Sequence, residues 1–126
     1  MTKTIVKLRA TCLFFFLAFF CISPEAVLGH AFPDHADPKV GATLAVSPGR
    51  VRIWFDSALE PAFSTIMVCR TDGTMVDNRD GRVNSSDGKL LEVGVPRLPP
   101  GSYRVTWSVV SRDGHRTAGE YTFVIK

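Results

Sequence analysis

The amino-acid sequence predicts one all-β domain, an antiparallel sandwich or barrel. Three observations support this prediction. Apolar and polar residues alternate in short runs, turn-forming glycine, proline and aspartate interrupt the runs about every eight to twelve residues, and no long stretch has a helical period. The 126 residues are enough for one small domain.

A secretory leader is predicted at the start of the chain. Lys3, Lys7 and Arg9 give it a positive charge, and an unbroken apolar run of 11 residues, 12–22, follows them. A helix that crosses a bilayer needs roughly 20 apolar residues. The pattern therefore predicts that residues 1–29 are a cleaved signal peptide rather than a membrane anchor.

The predicted cleavage follows Gly29. Val27 and Gly29 occupy the third-last and last positions of the leader, where the processing enzyme selects small residues. This cut leaves a finished domain of residues 30–126 that begins with His30. Cleavage after Ala31 is a competing prediction, because that site also has suitable residues before it.

The strands of the domain are predicted from alternating runs that end in turns. In chain order they cover residues 50–55, 64–70, 90–95, 103–109 and 121–125. Residues 57–62 are the only helix candidate, one turn interrupted by Pro61. The stretch FPDHADP around His35 is typical of a loop, and Trp54 and Trp107 lie inside strand patterns, which favours packing in or beside the core.

Charge and cysteine content narrow the function classes. The net charge is +3 and part of it belongs to the leader, so the domain has no basic patch of the kind that binds nucleic acid. Cys12 and Cys21 leave with the leader, and Cys69 then has no partner for a disulfide. The hydrophobic core must therefore hold the domain together, which is marginal at this size.

The histidines are the residues best suited to bind a metal. His115 lies in SRDGHRTAG, a polar turn between two strands, two residues after Asp113. In an extended segment this spacing puts both side chains on the same side, and imidazole with carboxylate suits Cu(II) or Zn(II). Asp-Gly is also an ordinary hairpin turn. His35 is expected to be an incidental loop residue.

An N-terminal His30 adds two further nitrogens, its α-amine and its ring Nδ1, which can chelate one metal ion. The amine has an unperturbed pKa of about 7.7–8.0, so it loses its proton to a metal easily near neutral pH. With His115 and Asp113 the set is three nitrogens and one oxygen, which suits Cu(II), whereas Zn(II) is more usually tetrahedral.

The finished chain resembles the periplasmic copper-resistance proteins of the CopC type. The resemblance begins with HAF at the processed end and continues through PKVGATLAVSP (38–48), VRIWFDSALEPAFS (51–64), LPPGSYRVTWSVVSRDGH (98–115) and GEYTFVI (119–125). It implies a seven-stranded Greek-key β-sandwich or barrel, immunoglobulin-like in architecture. It also implies one Cu(II) per chain, bound by the amine and ring of His30 with Asp113 and His115.

The resemblance further implies a role and a partner. Such proteins hold copper in the periplasm, or deliver it to a CopD-type inner-membrane copper transport protein, in copper resistance or homeostasis, and they are not enzymes. No stable membrane insertion is expected after signal cleavage.

The methionine content bears on the oxidation state of the copper. Some members of the family bind Cu(I) through a methionine-rich loop with a histidine, but the finished domain has only Met67 and Met75, which points to the Cu(II)-only type. A Cu(I) site at Met67 and Cys69, which share a strand face, is a hypothesis weaker than simple packing.

Two other functions are open on the residues alone. A copper held by an N-terminal histidine and a second histidine also resembles the site of lytic polysaccharide monooxygenases. This domain is small for a polymeric substrate, however, and Asp113 would crowd the position that oxygen needs. The other alternative is a metal-free immunoglobulin-like interaction module in which His30 is an ordinary loop residue.

Overall fold

The computed structural model describes residues 30–126, which form two β-sheets packed around one core. The strands are β1 (Pro33–Asp37), β2 (Thr43–Leu44), β3 (Arg50–Phe55), β4 (Thr65–Arg70), β5 (Arg82–Val83), β6 (Leu90–Gly94), β7 (Gly101–Val110) and β8 (Arg116–Ile125). A short 3-10 helix, Pro61–Phe63, lies between β3 and β4.

Each sheet contains four of these strands. The first has the order β1-β3-β6-β5 and the second has the order β2-β8-β7-β4. Neighbouring strands pair antiparallel except β2, which runs parallel to β8. The longest pair, β7 and β8, joins ten residues of each strand and ends at Val110 opposite Arg116. The turn that connects them, residues 111–115, therefore lies at one end of the sandwich.

Alternation along the strands builds the core between the sheets. In β7 the residues Tyr103, Val105, Trp107 and Val109 are buried, whereas those between them are exposed or half-buried. Successive side chains of a strand point to opposite faces, so β7 turns one apolar face inward. Trp107 meets Phe55 of the other sheet edge-on, with ring centroids 5.2 Å apart, which confirms its predicted core position.

The close packing of β7 on β8 leaves no room for a side chain at Gly119. Gly119 lies opposite Trp107 in the strand register. A Cβ atom on Gly119 would stand 2.6 Å from Cζ2 of Trp107, well inside the van der Waals separation of carbon atoms. Glycine is required at this position by lack of space and not by backbone conformation, since Gly119 does not have a positive φ.

The structure confirms the predicted all-β sandwich and its five longer strands, with differences in detail. It has eight strands where the resemblance implied seven. Two of the eight, β2 and β5, have two residues each, too few to show an alternating pattern. The parallel pairing of β2 departs from the antiparallel expectation. The helix candidate at 57–62 is reduced to Pro61–Phe63, in keeping with the tolerance of proline only in a first turn.

The stretch FPDHADP, expected to be a loop, contains β1. This strand lies at the edge of its sheet, where proline and charged residues are tolerated because one side of the strand makes no ladder bonds. An edge strand of this composition shows no apolar alternation, and its sequence is therefore typical of a loop.

The predicted signal peptide, residues 1–29, lies outside the described residues. In the described part of the chain, no helix has the length and the apolar character needed to cross a membrane. Cys69 is a free, half-buried thiol on β4, and packing and hydrogen bonds hold residues 30–126 together.

Candidate metal centre

The turn between β7 and β8 brings Asp113 and His115 together. Gly114 has a φ of +91°, a conformation that glycine adopts without steric cost, and its N–H donates to the carbonyl of Ser111 at 2.9 Å. The N–H of Ser111 in turn donates to the carbonyl of His115 at 2.9 Å. The segment is thus a tight turn rather than an extended one, yet Nδ1 of His115 still lies 3.2 Å from Oδ1 of Asp113.

One oxygen of the Asp113 carboxylate is already hydrogen-bonded. Oδ1 accepts from the hydroxyl of Ser111 and from the backbone N–H of His115, the latter at 3.1 Å. Both bonds stabilise the charged form and lower the pKa of Asp113 below its usual value, with the Ser111 hydroxyl the largest cause. The hydrogen bonds and the ion pair that Asp113 makes within residues 30–126 all involve Oδ1, which leaves Oδ2 as the oxygen available to a metal ion.

His115 presents a nitrogen whose bonding capacity is unused. Its Nδ1 is buried and makes no hydrogen bond to any described residue. It lies within ion-pair distance of Oδ1 of Asp113, but without the alignment that a hydrogen bond needs. Burying a polar atom without a partner is unfavourable, and metal coordination is one way to satisfy an imidazole nitrogen.

Two sets of hydrogen bonds hold the start of the domain beside this turn. Ala31 is fully buried, and its carbonyl accepts from the hydroxyl of Thr117 at 2.6 Å. The N–H of Phe32 donates to Oδ1 of Asp56 at 2.8 Å, and the N–H of Asp56 donates to the carbonyl of Phe32 at 3.0 Å. These bonds fix the position of the residue before Ala31.

That residue, His30, lies directly against His115. The centroids of the two imidazole rings are 4.5 Å apart and the ring planes are inclined at 54°. The three predicted ligands, His30, Asp113 and His115, are therefore gathered at one end of the sandwich. The donor types, imidazole nitrogen and carboxylate oxygen, fit the preference of Cu(II).

The ligand atoms are near one another but are not yet arranged around a single point. Within residues 30–126, no group of three or more His, Cys, Asp or Glu side chains has the geometry to hold a metal ion as it stands. The side chain of His30 is exposed, so it has room to rotate at the edge of this group.

The third histidine is not part of this centre. His35 lies on β1, where its ring stacks on Trp54 with centroids 4.4 Å apart and an interplanar angle of 11°. Its Nδ1 is 2.8 Å from Oδ2 of Asp34. Trp54 is half-buried, as the strand pattern predicts. The imidazole of His35 is engaged at the sheet surface and not with the other histidines.

The sulfur-containing residues also lie elsewhere. On β4, Met67 pairs with Thr106 and Cys69 pairs with Arg104. Cys69 is therefore level with a residue of β7 six positions before Val110, or about 20 Å along the strand. A Cu(I) site at Met67 and Cys69 would be separate from the centre at the hairpin turn.

Three residues that support the centre have no sequence signal of that role. Ser111 is two residues before Asp113 and resembles any polar turn residue. Asp56 and Thr117 act on the start of the domain through contacts with residues distant in sequence. Only the fold brings these groups together.

The chain is similar to several proteins of known name. A family model described as "CopC domain" matches residues 34–126. Protein YobA of Escherichia coli K12 is 33% identical over 102 residues, which cover 80% of this chain and 82% of YobA. The copper transport protein CutJ of Bacillus subtilis is 30% identical over 110 residues, which cover 86% of this chain and 20% of CutJ. The crystal structure of CopC from Methylosinus trichosporium OB3b has a TM-score of 0.68 at 31% identity, covering 77% of this chain and 94% of that chain.

Proposed function

Because the chain belongs to the CopC family of copper resistance and transport proteins, we propose that it is a periplasmic protein that binds one Cu(II) per chain. The ligands in this proposal are the α-amine and the ring of His30, with Asp113 and His115. Members of the family bind copper and are not enzymes, which argues against the monooxygenase and the metal-free alternatives.

The observation that carries the proposal is the contact between His30 and the Asp113–His115 turn. His30 and His115 are far apart in sequence, yet their rings lie 4.5 Å apart. The buried and unpartnered Nδ1 of His115 supports a role for this ring beyond packing. Oδ2 of Asp113 would supply an oxygen to complete a set of nitrogen and oxygen ligands.

Cleavage after Gly29 is part of the proposal. The nitrogen of His30 is a peptide amide in the unprocessed chain and a basic amine in the processed one. The amine can close a chelate ring on copper together with Nδ1 of the same residue, whereas an amide nitrogen would first have to give up its proton. The bonds at Ala31 and Phe32 would then hold this terminus against the turn.

The proposed ligands are exposed enough for a bound copper ion to be exchanged. His30 is exposed, and the side chains of His115 and Asp113 are 41% and 20% exposed. We expect a CopD-type inner-membrane copper transport protein to take or supply the copper at this end of the domain. The similarity of this chain to one fifth of CutJ, a copper transport protein, supports such a link.

Copper titration of the exported protein tests the proposal. The N-terminal residue is first identified by mass spectrometry, and Cu(II) affinity is then measured by competition with a chelator, together with the d–d absorption band. We expect one Cu(II) per chain. A variant with four extra glycines before His30, which moves the free amine away from the histidine, should bind more than about 100-fold more weakly, since outer-shell changes alone cost 10–100-fold.

His115→Ala should weaken binding to a similar degree, and His35→Ala is the matched control, which should leave it unchanged. A mature chain that begins at Phe32 would contradict the proposal. Equal Cu(II) affinity with and without the four extra residues would also contradict it.

A further inference from the structure

The hydroxyl of Ser111 contacts the carboxylate of Asp113 from inside the domain. Ser111 is 1% exposed, and its Oγ donates to Oδ1 of Asp113. The same Oγ lies 3.3 Å from the carbonyl oxygen of His115. A buried serine thus donates its one hydroxyl proton to one proposed ligand, and its oxygen lies close to the backbone of another.

From this contact we infer that Ser111 is a positioning residue of the copper centre. Together with the N–H of His115 it holds Oδ1 of Asp113, so that the carboxylate offers Oδ2 to the metal as one pre-oriented oxygen. The inference rests on the proposed function. Groups that orient metal ligands in this way commonly affect affinity nearly as much as the ligands do.

The hydroxyl can act as a fixed point because Ser111 is attached to the body of the sandwich. It forms an antiparallel bridge with Leu59, which is fully buried. The N–H of Arg112 donates to the carbonyl of Ala58 at 3.2 Å. The serine therefore belongs to the rigid end of the fold, and the turn that follows it is held at its base.

The chain provides a matched control serine nearby. Ser64 is 5% exposed, and its Oγ accepts from the N–H of Val110 at 3.3 Å. Within residues 30–126 its side chain makes no hydrogen bond to His30, Asp113 or His115. Ser64→Ala and Ser111→Ala both remove a buried hydroxyl, but only the second removes a contact with a ligand.

A double-mutant cycle tests the inference on the exported protein, with Cu(II) affinity measured by chelator competition. Ser111→Ala should weaken binding by roughly 10- to 100-fold, and Ser64→Ala should leave it unchanged. In the Asp113→Ala background, Ser111→Ala should have no further effect, because a positioning residue acts only through the ligand it holds. The electron paramagnetic resonance spectrum of bound Cu(II) should change with Ser111→Ala and not with Ser64→Ala.

A second pair of variants tests the inference even if Ser111→Ala fails to fold. Ser111→Thr and Ser111→Val are similar in shape and differ in the hydroxyl, so the threonine variant should bind Cu(II) more tightly. Equal affinity of this pair would overturn the inference, as would an equal effect of Ser111→Ala with and without Asp113. If the exported protein binds no Cu(II), the proposed function fails and the inference with it. If Asp113→Ala weakens binding and Ser111→Ala does not, only the inference fails.

Discussion

Replacing Gly119 by alanine probes how tightly the hairpin that carries Asp113 and His115 is packed. The added Cβ would lie 2.6 Å from Cζ2 and 3.0 Å from Cε2 of Trp107. The indole cannot move away easily, because Trp107 is 8% exposed and its other side meets Phe55. Either the tryptophan or strand β8 must therefore shift.

The size of the effect follows from two opposing terms. Overpacking a core costs about 1–3 kcal/mol, whereas replacing glycine by alanine in a strand recovers roughly 0.5–1 kcal/mol of chain entropy. We expect Gly119→Ala to lower the free energy of unfolding by about 1–2 kcal/mol. In a domain of this size each kcal/mol corresponds to a fall in Tm of about 4–8 °C.

Chemical and thermal unfolding, followed by circular dichroism, measure this change. Gly88→Ala is the control, because its Cβ would meet Ala58 and Arg112 at 4.0 Å, an ordinary contact, and it should leave stability unchanged or raise it by up to about 1 kcal/mol. In a Trp107→Phe background the crowding atoms are absent, so Gly119→Ala should cost less. Equal stability of the two glycine variants would refute the reasoning, and so would an equal cost in both backgrounds.

Two further predictions concern the centre itself. Asp56→Ala removes the acceptor of the Phe32 N–H, an exposed bond that contributes about 1 kcal/mol, so Cu(II) affinity should fall up to about fivefold as His30 becomes less ordered. Asp56→Asn keeps an acceptor oxygen and should lose less; an unchanged affinity in Asp56→Ala would count against this bond. The pKa of Asp113 is lowered by folding from 3.8, so its carboxylate stabilises the fold above that pH, and the contribution is lost as the pH falls through the folded value. The metal-free protein should therefore lose more unfolding free energy between about pH 5 and pH 2 than Asp113→Asn does; an equal loss would contradict the prediction.

The parts of the fold that could be predicted are those in which a strand has one buried face. In β3 and β7 the alternation of apolar and polar residues is a direct consequence of burial, so the sequence displays it. The residues of the edge strand β1 are mostly exposed, so its sequence has no apolar face. The two-residue strands β2 and β5 are strands only because they pair with β8 and β6. These elements depend on tertiary pairing, which no local pattern records.

The same distinction applies to the centre. Asp113 and His115 are close in sequence, and the chemistry of this pair is enough to suggest a metal site. The contact of His30 with His115 confirms that the fold brings these residues together, while their role as copper ligands stays a prediction. Ser111 carries no comparable signal. Its proposed role depends on its being buried and on its hydroxyl pointing at Asp113, and the residue type alone reveals neither.

The burial of Ala31 has a consequence for when the protein can acquire copper. Ala31 fills a place in the core and is bonded through its carbonyl to Thr117, so a cut after it would remove part of the folded domain along with His30. Under the proposed processing, the precursor lacks the amine donor until the bond after Gly29 is broken. Metal loading would then follow maturation in time, and a chain still waiting for export would compete poorly for copper inside the cell.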